Sequence, residues 1–287
     1  MSNLLRANFV RLKKSKVFWL AAAAMLILSA MGCIDNGLQA LANPNPDPPL
    51  EYLCFDMGPF IDIFIAVFVS LFLGTEYSDG TIRNKVVIGQ KRAAIYLANL
   101  ITCGSASTVM CLAWHIGSLA GLPILGVWSF GIVTWLMYVL LSILFTLAIC
   151  SVFCLISHLL TNKAIVAVFA MILALALILA GSSLYNNLLA PEETRDFITA
   201  FDSDTGNMQI IPSESRPNPE YIAEPLRTVC KIALNSLPTG QAILLASITD
   251  SEQEMLTMPL LQPCASVVII LLATAVGMAA FKRKDIK

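Results

Sequence analysis

From residue 93 to residue 162 the chain carries no Asp, Glu, Lys or Arg. Seventy consecutive residues without a formal charge cannot form the surface of a soluble domain, where about a quarter of residues are charged. They are too many for one crossing of a hydrocarbon core about 30 Å thick and suit two. Gly117, Gly121, Pro123 and Gly126 punctuate the middle, which predicts spans at about 93–118 and 130–156 with a turn between them. Gly117-x-x-x-Gly121 is read as part of that turn rather than as a close helix contact. The whole chain agrees: 57% of residues are hydrophobic and 13% charged, with a mean hydropathy of +0.76.

Four further apolar runs are long enough to span: 17–34, 57–74, 164–184 and 260–281. The expected fold is an all-α integral membrane protein with six transmembrane helices. It begins with an amphipathic surface helix and has a large external insert between helices five and six. The units are a surface helix at 1–16, spans one to five at 17–184, an insert at 185–257, and span six with a basic tail at 258–287. Residues 1–16 hold five bases and no acid. Leu5, Phe9 and Leu12 share one helical face. A basic amphipathic helix on the membrane surface fits this. A signal peptide is the competing reading, and Ala30-Met31-Gly32-Cys33 faintly resembles a lipoprotein cleavage site. The long basic region and the span-length apolar run favour the surface helix.

Charge sets the orientation. With six spans both termini lie on one side, and fourteen of the eighteen Lys and Arg residues then fall there. The other four, Arg195, Arg216, Arg227 and Lys231, lie in the long insert. The positive-inside rule makes the terminal side cytoplasmic. The net charge of −1 gives no sign of nucleic-acid binding. Of eight cysteines, only Cys54 and Cys230 fall in polar segments; a disulfide between them and two free thiols are both open.

Chemistry is sparse. The chain contains no phosphate-cradling G-x-x-x-x-G-K-[ST], no H-E-x-x-H and no G-x-S-x-G. His115 and His158 are the only histidines. Asp62 is a carboxylate within the second span, about 8 Å from its start. Such a group is a functional candidate, although that shallow depth favours a hydrated position near the outer interface. No metal cluster is expected.

The polar island between spans two and three is more specific. It reads Glu76-Tyr77-Ser78-Asp79-Gly80-Thr81-Ile82-Arg83-Asn84-Lys85, with Gly89, Lys91 and Arg92 following. Gly80 suits a left-handed residue that stops the preceding helix. Thr81 is placed to cap a short helix over 82–88, and Gly89 to end it. Lys91 and Arg92 anchor the next span at the headgroups. The product is a helical elbow at 75–92, joined rigidly to two spans. A plain basic loop obeying the positive-inside rule is the alternative.

That run, together with Gly89, Arg92 and Ile95-Tyr96, resembles the signature of ABC-type-2 exporter permeases. The basic N-terminal helix, the six spans and the external insert resemble the same family. So do the segment Asn235-Ser236-Leu237-Pro238-Thr239-Gly240-Gln241 and the ending Phe281-Lys282-Arg283-Lys284-Asp285. The resemblance implies the membrane subunit of an ATP-driven exporter in a bacterial plasma membrane, forming half of a pore. No cofactor would bind to this chain. ATP and magnesium would bind to a separate ATP-binding subunit, present in two copies and joined by a second permease of the same or a related chain. Glu76, Tyr77, Gly80, Thr81, Ile82, Arg83, Asn84 and Lys85 would form the coupling element, with Glu76 and Arg83 as polar contacts or internal braces and Gly80 as the bend. Pro238, Gly240 and Gln241 would belong to an external gate. Residues 225–237 are expected as a short amphipathic helix, with Leu226, Val229, Ala233 and Leu237 on one face. Residues 241–248, an apolar run, are expected to dip back into the outer leaflet, and 190–220 to be disordered or a mobile loop. The competing functions are a membrane-bound immunity or sensor component that binds a peptide at the outer face without transport, and a membrane enzyme using Asp62.

Overall fold

The structure is a computed structural model. It describes residues 1–42, 55, 58–121, 131–160, 162–195, 197–201, 208–212, 215–247 and 256–284. Each apolar run becomes a helix. In chain order they are α1 (Ser2–Lys14), α2 (Lys16–Ala42), α3 (Ile61–Ser78, entered through a 3-10 turn, Gly58–Phe60) and α4 (Thr81–Val87). Then come α5 (Arg92–Ser118), α6 (Ile132–Leu159), α7 (Lys163–Leu189), α8 (Leu226–Ser236), α9 (Pro238–Ala246) and α10 (Leu261–Arg283). Six of these stretches, of 21 to 28 residues, are long and apolar enough to cross a membrane. At 1.5 Å per residue each covers about 30 Å or more. A seventh crossing is counted if α8 and α9, bent by 94° at their junction, act as one broken span.

α3, α5 and α6 form the buried centre, whereas α2, α7 and α10 keep most of their apolar surface outward. Leu20, Ile27, Val168, Ile172, Leu179 and Leu271 are all exposed. In a soluble protein such faces would be an aggregation hazard; against lipid tails they carry no penalty. Phe68 and Phe72 stack at the centre with ring centroids 5.2 Å apart. α2 packs mainly on α5 and only lightly on α3. Here Gly117 departs from its sequence reading. It lies inside α5, and a Cβ there would collide with the backbone of Leu26 on α2. It is therefore a close helix contact rather than part of the turn, because only a missing side chain lets the two backbones approach so closely.

Other expectations shift in register. α2 runs on to Ala42, so the helix continues past the apolar run 17–34 and carries Asp35 and Asn36 beyond it. Gln39 Nε2 donates to Asp35 Oδ2 at 2.9 Å, one turn away. In α1 the buried positions are Leu4, Asn8 and Leu12, with Leu5 and Phe9 only partly covered. The face is rotated because Asn8 is drawn inward by hydrogen bonds that hydrophobic periodicity cannot register.

The insert contains secondary structure where a mobile loop was expected. β1 (Glu193–Thr194) pairs antiparallel with β4 (Arg216–Pro217), and β2 (Phe197–Phe201) with β3 (Met208–Pro212). Phe, Ile and Thr in these short runs favour extended pairing, outweighing the polar composition around them. α8 forms as expected, yet its Leu226 and Val229 are exposed, while Leu234 and Asn235 are buried. A Cys54–Cys230 pairing would involve Cys54, which lies outside the described residues.

Candidate functional site

The elbow is built by two glycines. Gly80 adopts φ +66° and Gly89 φ +87°, a region that side-chain-bearing residues seldom enter. Gly80 occupies the N-cap of α4, so Thr81 is the first helical residue and its side chain makes no capping bond. The expected Thr81 cap is thus displaced by one position. At the other end Gln90 N–H bonds to Lys85 O at 3.1 Å and Gly89 N–H to Val86 O at 2.9 Å. That is the paired 6→1 and 5→2 pattern that closes a helix through a left-handed residue. Ile82 is the buried residue of α4. It packs in a cluster with Leu4, Ile95, Tyr96 and Phe281, which seats the elbow on α1, α5 and α10.

Beneath the elbow a polar junction forms around Glu76, whose side chain is 1% exposed. Its Oε1 accepts from Arg11 and Lys85, and its Oε2 accepts from Asn99 Nδ2 at 2.8 Å. Asn8 donates to Asn99 Oδ1 at 2.7 Å and accepts from Lys85 at 3.1 Å. His158 completes the ring of partners. Its Nδ1 lies 2.8 Å from Cys154 O and so carries the proton, which leaves Nε2 to accept from Asn99 Nδ2 at 3.3 Å. The Arg11 guanidinium lies over the Phe72 ring, 3.8 Å from its centroid. One carboxylate thus gathers α1, α3, α4, α5 and α6.

The tail of α10 is tied to the same place. Arg92 Nη1 donates to the carbonyls of Phe281, Lys282 and Lys284, a cation closing the carbonyl end of a helix. Lys284 Nζ donates to His158 O at 2.6 Å and sits 4.6 Å from the Tyr77 ring centroid. Tyr77 donates to the same carbonyl at 3.3 Å. Partial burial lowers the Lys284 pKa from 10.5 to about 8.

The residues expected to form a coupling element therefore divide. Glu76 and Ile82 are buried; Tyr77, Gly80, Thr81 and Lys85 are half-buried; Arg83 and Asn84 face outward. Beside them Val87 and Ile88, at 78% and 76%, are among the most exposed apolar residues of the chain. The sequence reading passes over this pair because two apolar residues next to a glycine look like the end of a helix and nothing more. It also passes over Asn8, Arg11, Asn99 and His158. Asn99 and His158 carry a signal, since each is a polar side chain in a charge-free run.

At the far end of the bundle a second junction joins α8, α9 and α10. Gln241 is fully buried. Its Nε2 donates to Asn235 O and Gln262 O, each at 3.0 Å, and its Oε1 accepts from Ser266 at 2.9 Å. Asn235 Nδ2 donates to Lys231 O and Leu256 O, while its Oδ1 accepts from Met258 N and Gln262 Nε2. Pro238 opens α9, and a Cβ at Gly240 would strike the Leu234 carbonyl, so this sharp bend demands glycine. α9 also covers Asp62. The hydrated position expected for that carboxylate is overturned, because it is fully buried. Oδ2 accepts from Thr239 at 2.5 Å, and Oδ1 has no partner among the described residues. Depth along a helix does not reveal that a segment 177 residues later folds over it.

Among the described residues no group of three or more His, Cys, Asp or Glu side chains is arranged to hold a metal ion. In comparison with protein families, the model described as ABC-2 family transporter protein matches residues 4–181. Comparison with curated proteins finds no match. The matched region takes in most of α1, the first four candidate spans, most of the fifth, and the elbow with the carboxylate junction beneath it.

Proposed function

The chain belongs to the ABC-2 transporter family, as a multi-pass membrane component without an ATPase domain, and from that premise we propose that it is one half of the pore of an ATP-driven exporter. Family membership implies an ATP-binding partner subunit. The working unit is two permeases, of this or a related chain, with two ATP-binding subunits that hold ATP and magnesium. The membrane is a bacterial plasma membrane, with both termini and the elbow in the cytoplasm. The charge distribution supports this orientation, since the elbow, the N-terminus and the tail carry most of the bases.

The observation that carries the proposal is the elbow tip. Arg83, Asn84, Val87 and Ile88 project outward, while the base of the same helix is locked into the bundle by Ile82 and Lys85. An apolar pair flanked by a guanidinium, on a rigid mount, suits insertion into a groove of a protein partner. Closure of the ATPases would push this tip. The carboxylate junction would pass the displacement to α1, α5, α6 and, through Arg92 and Lys284, to α10. The α8–α9 pair, tied to α10 at its other end, would act as the external gate, with Pro238, Gly240 and Gln241 shaping the bend. ATP binding and hydrolysis in the partner would then drive alternating access.

Purification of the chain from its native membrane in mild detergent, with mass spectrometry of what accompanies it, tests this. The intact chain is expected to bring down an ATP-binding protein in near-equal amount. V87D/I88D, with both changes on exposed positions, is expected to keep its fold and lose at least about tenfold of that partner, as removal of an interface hot spot does. Absence of an ATP-binding protein from the intact sample, or its undiminished recovery with the variant, would overturn the reading.

A further inference from the structure

At the end of the bundle away from the elbow, α2 and α3 part. α2 leans on α5, where Gly117 admits the Leu26 backbone, and it touches α3 only lightly. The space left is a cavity of about 640 Å³, within the size range of small-ligand sites. Its walls are Met25, Leu28, Met31, Phe60, Ile63 and Phe64, all apolar, and Asp35 is its one charged residue among the described residues. Met25 and Asp35 are ten residues apart on one helix, so the cavity extends roughly 15 Å along the axis. Asp35 lies about 28 Å from Lys16, the start of the span, which puts the carboxylate at headgroup level and the apolar walls at tail level.

The charge has one sign only. Gln39 occupies Asp35 Oδ2, and the side chain is otherwise exposed. The sequence contains no Lys or Arg from residue 17 to residue 82, and the segment joining α2 to α3 adds only acids, Asp47, Glu51 and Asp56. Nothing in this stretch would neutralise Asp35 except a ligand or a solvent cation. Phe60 and Phe64 add aromatic faces, which favour an alkylammonium over a neutral head. Methionines at positions 25 and 31 give a deformable wall that tolerates different chain shapes.

We propose that this groove binds a cationic single-chain amphiphile, its ammonium head against Asp35 and its apolar tail along Met25, Leu28 and Phe64. The proposal rests on the exporter reading for its meaning, since it names the class of compound that the chain would take from the membrane. Binding itself needs no ATPase.

The test uses the chain in lipid nanodiscs, with whatever partner co-purifies. The probe is dodecyltrimethylammonium carrying a photoreactive diazirine in its tail, beside matched probes with a hydroxyl and a sulfate head. Peptides containing Met25 to Met31 and Phe60 to Phe64 are expected to be labelled most by the cationic probe and least by the sulfate. Asp35 is exposed, so D35N is expected to fold and to cut the preference for the cation about three- to fivefold, the scale of a partly solvated ion pair. Gly32 lines the same groove, and G32F is expected to block all three probes. Equal labelling by cationic and neutral probes, or a cation preference unchanged in D35N, would make the groove a slot for lipid tails and overturn the proposal. Labelling confined to other surfaces would overturn it too. Groove labelling without any co-purifying ATPase would leave the site standing and remove the exporter reading; the reverse result would do the opposite.

Discussion

At the elbow end of the molecule, helices are held together by charge; at the far end, by neutral amides. Around Glu76 one buried carboxylate collects two bases, an asparagine and, through it, a histidine. Around Gln241 two amide side chains and a hydroxyl satisfy each other and the backbone without any ion. Both junctions bind helices that are remote in sequence, and both reach α10, through Arg92 and Lys284 at one end and Gln262 and Ser266 at the other. The difference fits their surroundings. The elbow junction lies among bases that are not fully covered, with Arg11 31% exposed and Lys85 12%. The amide junction is sealed, and an ion there would have to be taken fully out of water. Among the described residues Asp62 is the one carboxylate placed in that sealed region, and it has a single hydroxyl for company.

The largest break in this contrast is expected from Glu76. Removing it as Glu76→Ala leaves Arg11 and Lys85 facing each other with no acid between them. A buried pair losing one partner costs about 3–5 kcal/mol. The expected outcome is a large fall in the unfolding temperature of the detergent-solubilised chain and loss of most folded protein. Lys85→Met added to Glu76→Ala should recover part of that loss, because it removes one of the stranded charges. A single variant as stable as the parent would show that the charges around Glu76 hold nothing together.

A smaller effect is expected at the amide junction. Gln241→Ala strands the Ser266 hydroxyl and the carbonyls of Asn235 and Gln262 in a dry site, at about 1–3 kcal/mol. Ser266→Ala alone removes one donor and should cost less. Because the two side chains bond to each other, the double variant is expected to fall short of the sum of the singles by about 0.5 kcal/mol or more. Strict additivity in thermal unfolding would mean that the amides act separately and that the junction is not a unit.

The two ends are unequally legible in the sequence. The spans can be read because a charge-free run of membrane length suits a bilayer crossing and little else. The elbow can be read because its ends, Gly80 and Gly89, are positions where backbone geometry dictates the residue. Neither junction can. Asn8 reaches a partner 91 residues away and Arg92 one 189 residues away, and no local periodicity encodes such pairings. Asp62 misleads for the same reason: it sits in the first turn of α3, near the end of the span, but the lid over it comes from α9. Val87 and Ile88 escape notice because exposure of an apolar pair is a tertiary fact. At the far end, the helix expected over 225–237 comes from apolar spacing and the return at 241–248 from a short apolar run, and α8 and α9 occupy that region; the bend between them has no local sign. The amide partners Gln262 and Ser266 sit on the next helix and give no sign.

The smallest effect sharpens the contrast within the elbow end itself. Lys284 is held there by a carbonyl and an aromatic face rather than by an acid. Burial lowers its pKa from 10.5 to about 8, so its charged form is disfavoured in the folded state. Below about pH 8 both folded and unfolded chains carry the proton, and the whole cost of covering the charge is present. Between about pH 8 and pH 10.5 the unfolded chain binds more protons than the folded one, and stability rises with pH. A neutral amine still donates to His158 O, so the anchor survives loss of the charge. The expected result is a slight rise in unfolding temperature over that window, small because the side chain is half-solvated, and absent in Lys284→Met. A fall that depends on Lys284 would show instead that the ammonium's attraction to the Tyr77 ring outweighs its burial. The tail of α10 would then be held by charge, as the rest of that junction is.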